Sequence, residues 1–195
     1  MNLKLGQYLI GGSLSVLIYL LCSCSTGTHI ERPHYSEFPF GINSPQDLIV
    51  RYGKPSSMEI TSSHGETLTK YCYGYESLLE MRNSERGIGY ACFFFSSHGN
   101  IGYAYVGAGK NKTAINTDLV KKITVGITTK TEVLDLLGEP HGVHHYPIPD
   151  VLGPQYEHLL YNAQSSDKDS IFTYAEIEID SKDVVSRVII TDKPE

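Results

Sequence analysis

Eight histidines raise metal chemistry first, and three of them, His141, His144 and His145, fall within five positions, with His158 further on. A zinc site built on a helix needs ligands three or four residues apart, so that they share a face. Here the helical pattern has already stopped at Gly138-Glu139-Pro140, so the cluster is expected on a solvated loop with no geometry imposed. No metal ligand is assigned. Gly107-Ala108-Gly109-Lys110-Asn111 has some look of a phosphate loop, which requires Gly, four residues, Gly-Lys and then Ser or Thr. Ala104 stands where the first Gly is required and Asn111 where the hydroxyl is, so that reading fails. There is no Gly-x-Ser-x-Gly elbow, and no Cys-His pair is suggested. No catalytic residue, cofactor or small-molecule substrate is expected.

Cys72 and Cys92 are the cysteines outside the N-terminal region, both in segments that read as strands. In an exported protein such a pair reads as a disulfide joining adjacent strands; two buried thiols are the other reading. Aligning Ala91, Phe93 and Phe95 with Ala175, Ile177 and Ile179, an offset of 84, gives one apolar face in both segments. That face should cover a helix. The alternate positions are Glu176 and Glu178 in one segment, the one-side-wet pattern of an antiparallel sheet, but Cys92 and Phe94 in the other. Tyr71, Tyr73, Tyr90, Tyr103 and Tyr105 lie near that doubly apolar strand. Tyr90, Phe94, Tyr103 and Tyr105 are therefore the candidate protein-binding residues, an exposed aromatic patch being the composition of binding hot spots. The alternative is that the N-terminal aromatic segment or the other half covers them as core.

What must position these residues is a pattern that occurs twice. Gly41 to Pro55 (GINSPQDLIVRYGKP) aligns without a gap on Gly126 to Pro140 (GITTKTEVLDLLGEP), 85 positions on. Ser44 and Thr129 are N-caps, and Asp47 and Glu132 three residues later complete a capping box. Pro45 sits at the first helical position, where a missing N–H costs nothing. Gly53 and Gly138 suit a left-handed C′ residue, and Pro55 and Pro140 forbid continuation. Each copy thus encodes a helix of about two to three turns, and the pair reads as an internal duplication. Strands are expected at Thr67–Tyr75, Gly89–Ser96 and Ile101–Val106 after the first helix. After the second they are expected at Tyr156–Ala163, Ser170–Asp180 and Val184–Thr191. The expected fold class is α+β, two tandem repeats, each a short helix (or helix pair) packed on an antiparallel three-stranded β-meander.

The N-terminus reads as an address. Lys4 precedes an apolar run of 14 residues, Tyr8 to Leu21, shorter than the roughly 20 that span a bilayer. It ends in Leu21-Cys22-Ser23-Cys24, which resembles a bacterial lipobox with Cys24 as the lipidated residue; an ordinary secretory peptide is the other reading. Ser25 in place of Asp resembles the outer-membrane sorting signal of Gram-negative lipoproteins. The expected organisation is a signal peptide (1–23), a tether (24–40), a first repeat (41–107), a linker with a short helix (108–122) and a second repeat (123–195). The net charge of −6 and pI near 5.7 argue against nucleic acid as a partner, since phosphate binding needs a basic surface.

The helix-cap and LGEP motifs at Val125–Pro140, with the hairpin Glu176–Val188, resemble the BamE (SmpA/OmlA) superfamily of outer-membrane lipoproteins. BamE itself has one such unit, and the doubled form is similar to the β-lactamase inhibitory protein, whose two units form a concave, aromatic-rich sheet. The resemblance implies a non-enzymatic lipoprotein in the periplasm-facing outer membrane, held there by lipid on Cys24. It would bind an envelope protein, as an accessory or scaffold that could serve β-barrel assembly. The alternative is a periplasmic inhibitor or sensor that grips an enzyme with its aromatic sheet face. A hydrolase or metal enzyme using the histidine loop is the third reading. The matched positions are structural and carry no partner contact.

Overall fold

Two capping boxes close as their spacing requires. The structure, a computed structural model, describes residues 25–28, 30–77, 87–106, 115–163 and 173–191. Its helices are α1 (Pro45–Tyr52), α2 (Thr117–Val120) and α3 (Lys130–Leu137), with a 3₁₀ turn at Tyr35–Glu37. Ser44 Oγ accepts the Asp47 N–H at 3.2 Å, and Asp47 Oδ2 accepts the Ser44 N–H at 2.9 Å. Thr129 and Glu132 repeat this at 3.3 and 2.8 Å. Both helices end on a left-handed glycine, Gly53 at φ 79° and Gly138 at φ 76°. Each helix turns one apolar side to the sheet and buries a central residue completely, Leu48 in α1 and Val133 in α3. Burial of that kind stabilises by about 1.5–3 kcal/mol per side chain.

The strands do not form two three-stranded meanders. Nine strands are described: β1 (Ser25–Gly27), β2 (Ser57–Ser63), β3 (Glu66–Ser77), β4 (Gly87–Ser96), β5 (Gly99–Val106), β6 (Gly142–His145), β7 (Glu157–Ala163), β8 (Thr173–Ile179) and β9 (Val185–Thr191). All belong to one antiparallel sheet that runs β1-β3-β4-β5-β6-β7-β8-β9, with β2 also on β3. β1 takes Tyr75–Ser77 and β2 takes Glu66–Cys72 along the same side of β3, so the sheet is eight strands wide. The tandem-meander expectation is thereby corrected on two counts. Each long helix is followed by four strands, and the two sets join edge to edge where β5 pairs with β6.

That seam depends on glycine. A Cβ on Gly102 would lie 2.6 Å from Val143 O and 2.8 Å from Ile148 Cδ1. One on Gly142 would lie 2.5 Å from Tyr103 O. No side chain fits where the two backbones approach so closely.

The helices cover one face, where Phe93, Tyr103, Leu159 and Ile177 are fully or almost fully buried. Part of the segment expected as a tether lies on this core. Ile30 is buried, and Phe38 stacks on Tyr103 at 6.0 Å while Phe40 meets the same ring edge-on at 4.9 Å. On the other face a second cluster of Leu68, Ile101, Ile148 and Val151 forms because the β6–β7 connection, 146–156, folds back over the strands.

Candidate functional site

Strand alternation divides the four aromatic candidates. Phe93 pairs with Tyr103 and Ala91 with Tyr105, so these tyrosines share the helix-covered face. They are 1% and 3% exposed, as core residues, which corrects their assignment to a binding patch. Phe94 points to the other face and is half-buried against the second cluster, its ring 4.8 Å from that of His144. Tyr90 is on that face too and is 40% exposed. Cys72 and Cys92 are directly paired across β3 and β4 and joined by a disulfide. Cys24 and the Gly107–Asn111 stretch lie outside the described residues.

The histidines are not on a solvated loop. His144 and His145 belong to β6, and as strand neighbours they point to opposite faces. His145 packs on Phe38 at 5.4 Å on the helix side. His141 is buried, its Nδ1 accepting the Asn162 N–H at 2.8 Å. Burial, with the nearby Arg32 charge, pushes His141 down to about 3, so it is neutral. Among the described residues no group of three His, Cys, Asp or Glu side chains can hold a metal ion.

On the face away from the helices, pairing lines up a row that the linear sequence hides. Lys70, Phe94, Gly102, His144, His158, Glu178 and Arg187 are successive cross-strand partners from β3 to β9. Its centre is His158, fully buried, with Nδ1 on Glu176 Oε1 and Nε2 at 2.9 Å from Glu178 Oε2. Glu178 also accepts from Ser186 Oγ at 2.5 Å and from Arg187 at 3.0 Å. The expectation that Glu176 and Glu178 face water is therefore corrected: they are 7% and 5% exposed, under the 146–156 segment. Arg187 ties that cover down by donating to Asp150 O at 3.4 Å.

The electrostatics follow from this packing. Burial opposes a charge on His158, but hydrogen bonds and charge from Glu176 and Glu178 outweigh it and raise its pKa. Burial likewise opposes the Glu178 charge and is outweighed by Ser186, His158 and Arg187, which hold it below the usual carboxylate range. Opposite His158, burial pushes His144 down to about 4, and among the described residues neither of its ring nitrogens has a hydrogen-bond partner. An imidazole clamped on both nitrogens has no free lone pair to act as a general base. The cluster cross-links β7 to β8 and is structural. Sequence reasoning missed it because the signal, Glu178 opposite His158 and Glu176 diagonal to it, exists only once the β7–β8 register is known.

Two further features are exposed. A cavity of about 310 Å³ lies between the N-terminal segment and the end of α3, lined by Arg32, His34, Ile115, Leu137, Glu139 and His141. Arg32 is committed to the carbonyls of Glu139 and Pro140, and His34 to the Glu139 carboxylate at 3.1 Å. The second feature is the sheet's edge. At the β9 side, Gly126 donates to Val185 O at 2.8 Å and Val185 to Thr128 O at 2.9 Å, so the start of that edge is covered. Among the described residues nothing pairs with the outer side of β2. Met58 and Ile60 on it are 57% and 63% exposed.

No family model matches the chain. No curated protein matches it either, so the BamE resemblance rests on the quoted motifs alone. A solved structure described as a "putative beta-lactamase inhibitor protein" from Streptococcus mutans is similar at 12% identity and a TM-score of 0.45. The similarity covers 96% of this chain and 99% of that one. At that level it carries no argument about what this chain does.

Proposed function

We propose that the chain is a non-catalytic, protein-binding lipoprotein of the bacterial cell envelope. On this reading Cys24 is acylated and holds it at the outer membrane facing the periplasm. Its partner is an envelope protein that lays an extended segment along β2. One observation carries this: six of the seven β2 residues are exposed on an edge that no other described strand covers. Unpaired backbone N–H and C=O groups on such an edge are a template for strand addition. Met58 and Ile60 lie two residues apart, hence on one face, and offer alternate apolar contacts to an added strand. Covering each would contribute up to about 1.5–3 kcal/mol.

A photo-crosslinking residue at Met58 or Ile60 in intact cells, with Lys182 on the far β8–β9 turn as control, tests the reading. The expected result is a discrete adduct from β2 and none from Lys182; the Met58 adduct is lost in an I60K background and the Ile60 adduct in an M58K background. Barrel-assembly components in that adduct would assign the scaffold role, and an envelope enzyme would assign the inhibitor role. Absence of any β2-specific adduct refutes the proposal.

A further inference from the structure

We infer that the end of the sheet carrying Tyr90 and Tyr174 rests on the lipid surface, so that the protein stands end-on to the membrane. This builds on the reading of Cys24 as the acylated residue. Three observations point the same way. Ser25, the residue next to Cys24, is already paired with Ser77 in β1–β3, so the anchor residue is bonded directly to the sheet's first residue. One residue spans at most about 3.6 Å, which leaves no slack to lift that end away from the headgroups.

Strand direction then identifies which end is held. β3 ends at Ser77, opposite the start of β4 at Gly87, and β5 ends at Val106 opposite Tyr90. On the other half β7 ends at Ala163 opposite the start of β8, and β9 ends at Thr191 opposite Tyr174. All of these termini fall at the Ser77 end. Tyr90 and Tyr174, each 40% exposed, lie there on the same helix-free face. Tyrosine is a side chain enriched at membrane–water interfaces, with an apolar ring and a hydroxyl that stays wet. At the opposite end Ile127, 72% exposed, follows Gly126, which is bonded to the start of β9. The occupant of the Tyr90–Tyr174 end is therefore a phospholipid headgroup layer.

The chain contains no tryptophan, so one introduced indole reports its own position. Y90W, Y174W, M58W and I127W variants of the full chain would be exported and acylated in a Gram-negative host and reconstituted into phosphatidylcholine vesicles. Emission is compared between vesicles with and without brominated acyl chains. The expected result is loss of emission for Y90W and Y174W, and none for I127W or M58W. Quenching of M58W would mean that the sheet lies on its β2 edge, and quenching of I127W that it is inverted. Either overturns the inference while leaving the anchor intact. An intact mass without acyl chains on Cys24 overturns the anchor itself, and the orientation with it.

Discussion

Replacing Glu178 by Gln keeps the side chain's shape and removes the charge that His158, Ser186 and Arg187 share. In the fold its two oxygens take three hydrogen bonds, from His158 at 2.9 Å, Arg187 at 3.0 Å and Ser186 at 2.5 Å. Removing one partner of a buried ion pair costs about 3–5 kcal/mol, and Arg187, partly exposed, recovers some solvation, so about 3 kcal/mol is expected. For a chain of this size that is a drop in Tm of about 6–12 °C. The pH dependence is the sharper test. The folded His158 pKa lies above its ordinary 6.5, so its contribution is complete below pH 6.5 and fades as pH rises through the folded value. The folded Glu178 pKa lies below 4.5, so its contribution is complete above pH 4.5 and fades only as pH falls through the folded value. Between those limits both are present. Buried neutral His141 and His144 destabilise as pH falls below 6.5, but they do so in both proteins and cancel in the difference. Urea unfolding of wild type and Glu178→Gln at pH 6 and pH 9 should therefore show the larger gap at pH 6. A gap under about 1 kcal/mol at pH 6, or an equal gap at both pH values, would refute the clamp as the source of stability.

Three further outcomes follow from the packing. The Cys72–Cys92 bond closes a 20-residue separation, and the loop-entropy relation gives about 3 kcal/mol for it, so a C72S/C92S double variant should lower the urea midpoint accordingly, and an unchanged midpoint would contradict this. Ser44→Ala and Thr129→Ala should each cost about 1 kcal/mol by chemical denaturation, because each removes one half of a formed capping box. Gly102→Ala should cost at least about 1–3 kcal/mol or shift the β5–β6 amide resonances, since its Cβ meets backbone. Gly74→Ala, whose Cβ would meet only side-chain atoms at 3.8 and 3.9 Å, should be tolerated.

What could be read from the chain is what local chemistry encodes. Ser44 with Asp47, and Thr129 with Glu132, specify helix starts within four residues, and Gly53 and Gly138 specify the stops. The apolar alternation of Ala91, Phe93 and Phe95 fixes a buried face whatever the sheet's extent. Illegible features depend on long-range pairing. β2 has no buried face, since Met58 and Ile60 are exposed, so no alternation marks it as a strand. β6 is only four residues, Gly142 to His145, before a turn, and it reads as loop until β5 and β7 flank it. Tyr103 and Tyr105 look like a surface patch because the N-terminal rings of Phe38 and Phe40, which cover Tyr103, are more than sixty positions away in sequence. The same holds for Glu176 and Glu178. Their charge signals a wet face, and only the His158 register and the 146–156 segment show why that face is dry.

Joining both halves into one sheet has a geometric consequence for the proposed role. A single sheet leaves two edges, and the β9 edge is covered at its start by 126–130. β1, which follows the proposed anchor residue Cys24, and β2 both lie on the remaining edge, sharing β3. Met58 is paired with Tyr71, Ile60 with Thr69 and Ser25 with Ser77, so the two docking residues sit six and eight residues along β3 from the Ser77 end. At about 3.3 Å per residue this is about 20 and about 26 Å. An end-on molecule would hold an added strand at those heights above the headgroups, clear of the lipid. A molecule lying on its edge would bury Met58 and Ile60 in the bilayer and leave no strand to add to. An edge-on orientation would therefore exclude the partner site, whereas an inverted one would leave β2 free to take a strand. Quenching of M58W in vesicles would thus contradict a protein adduct at Met58 in cells.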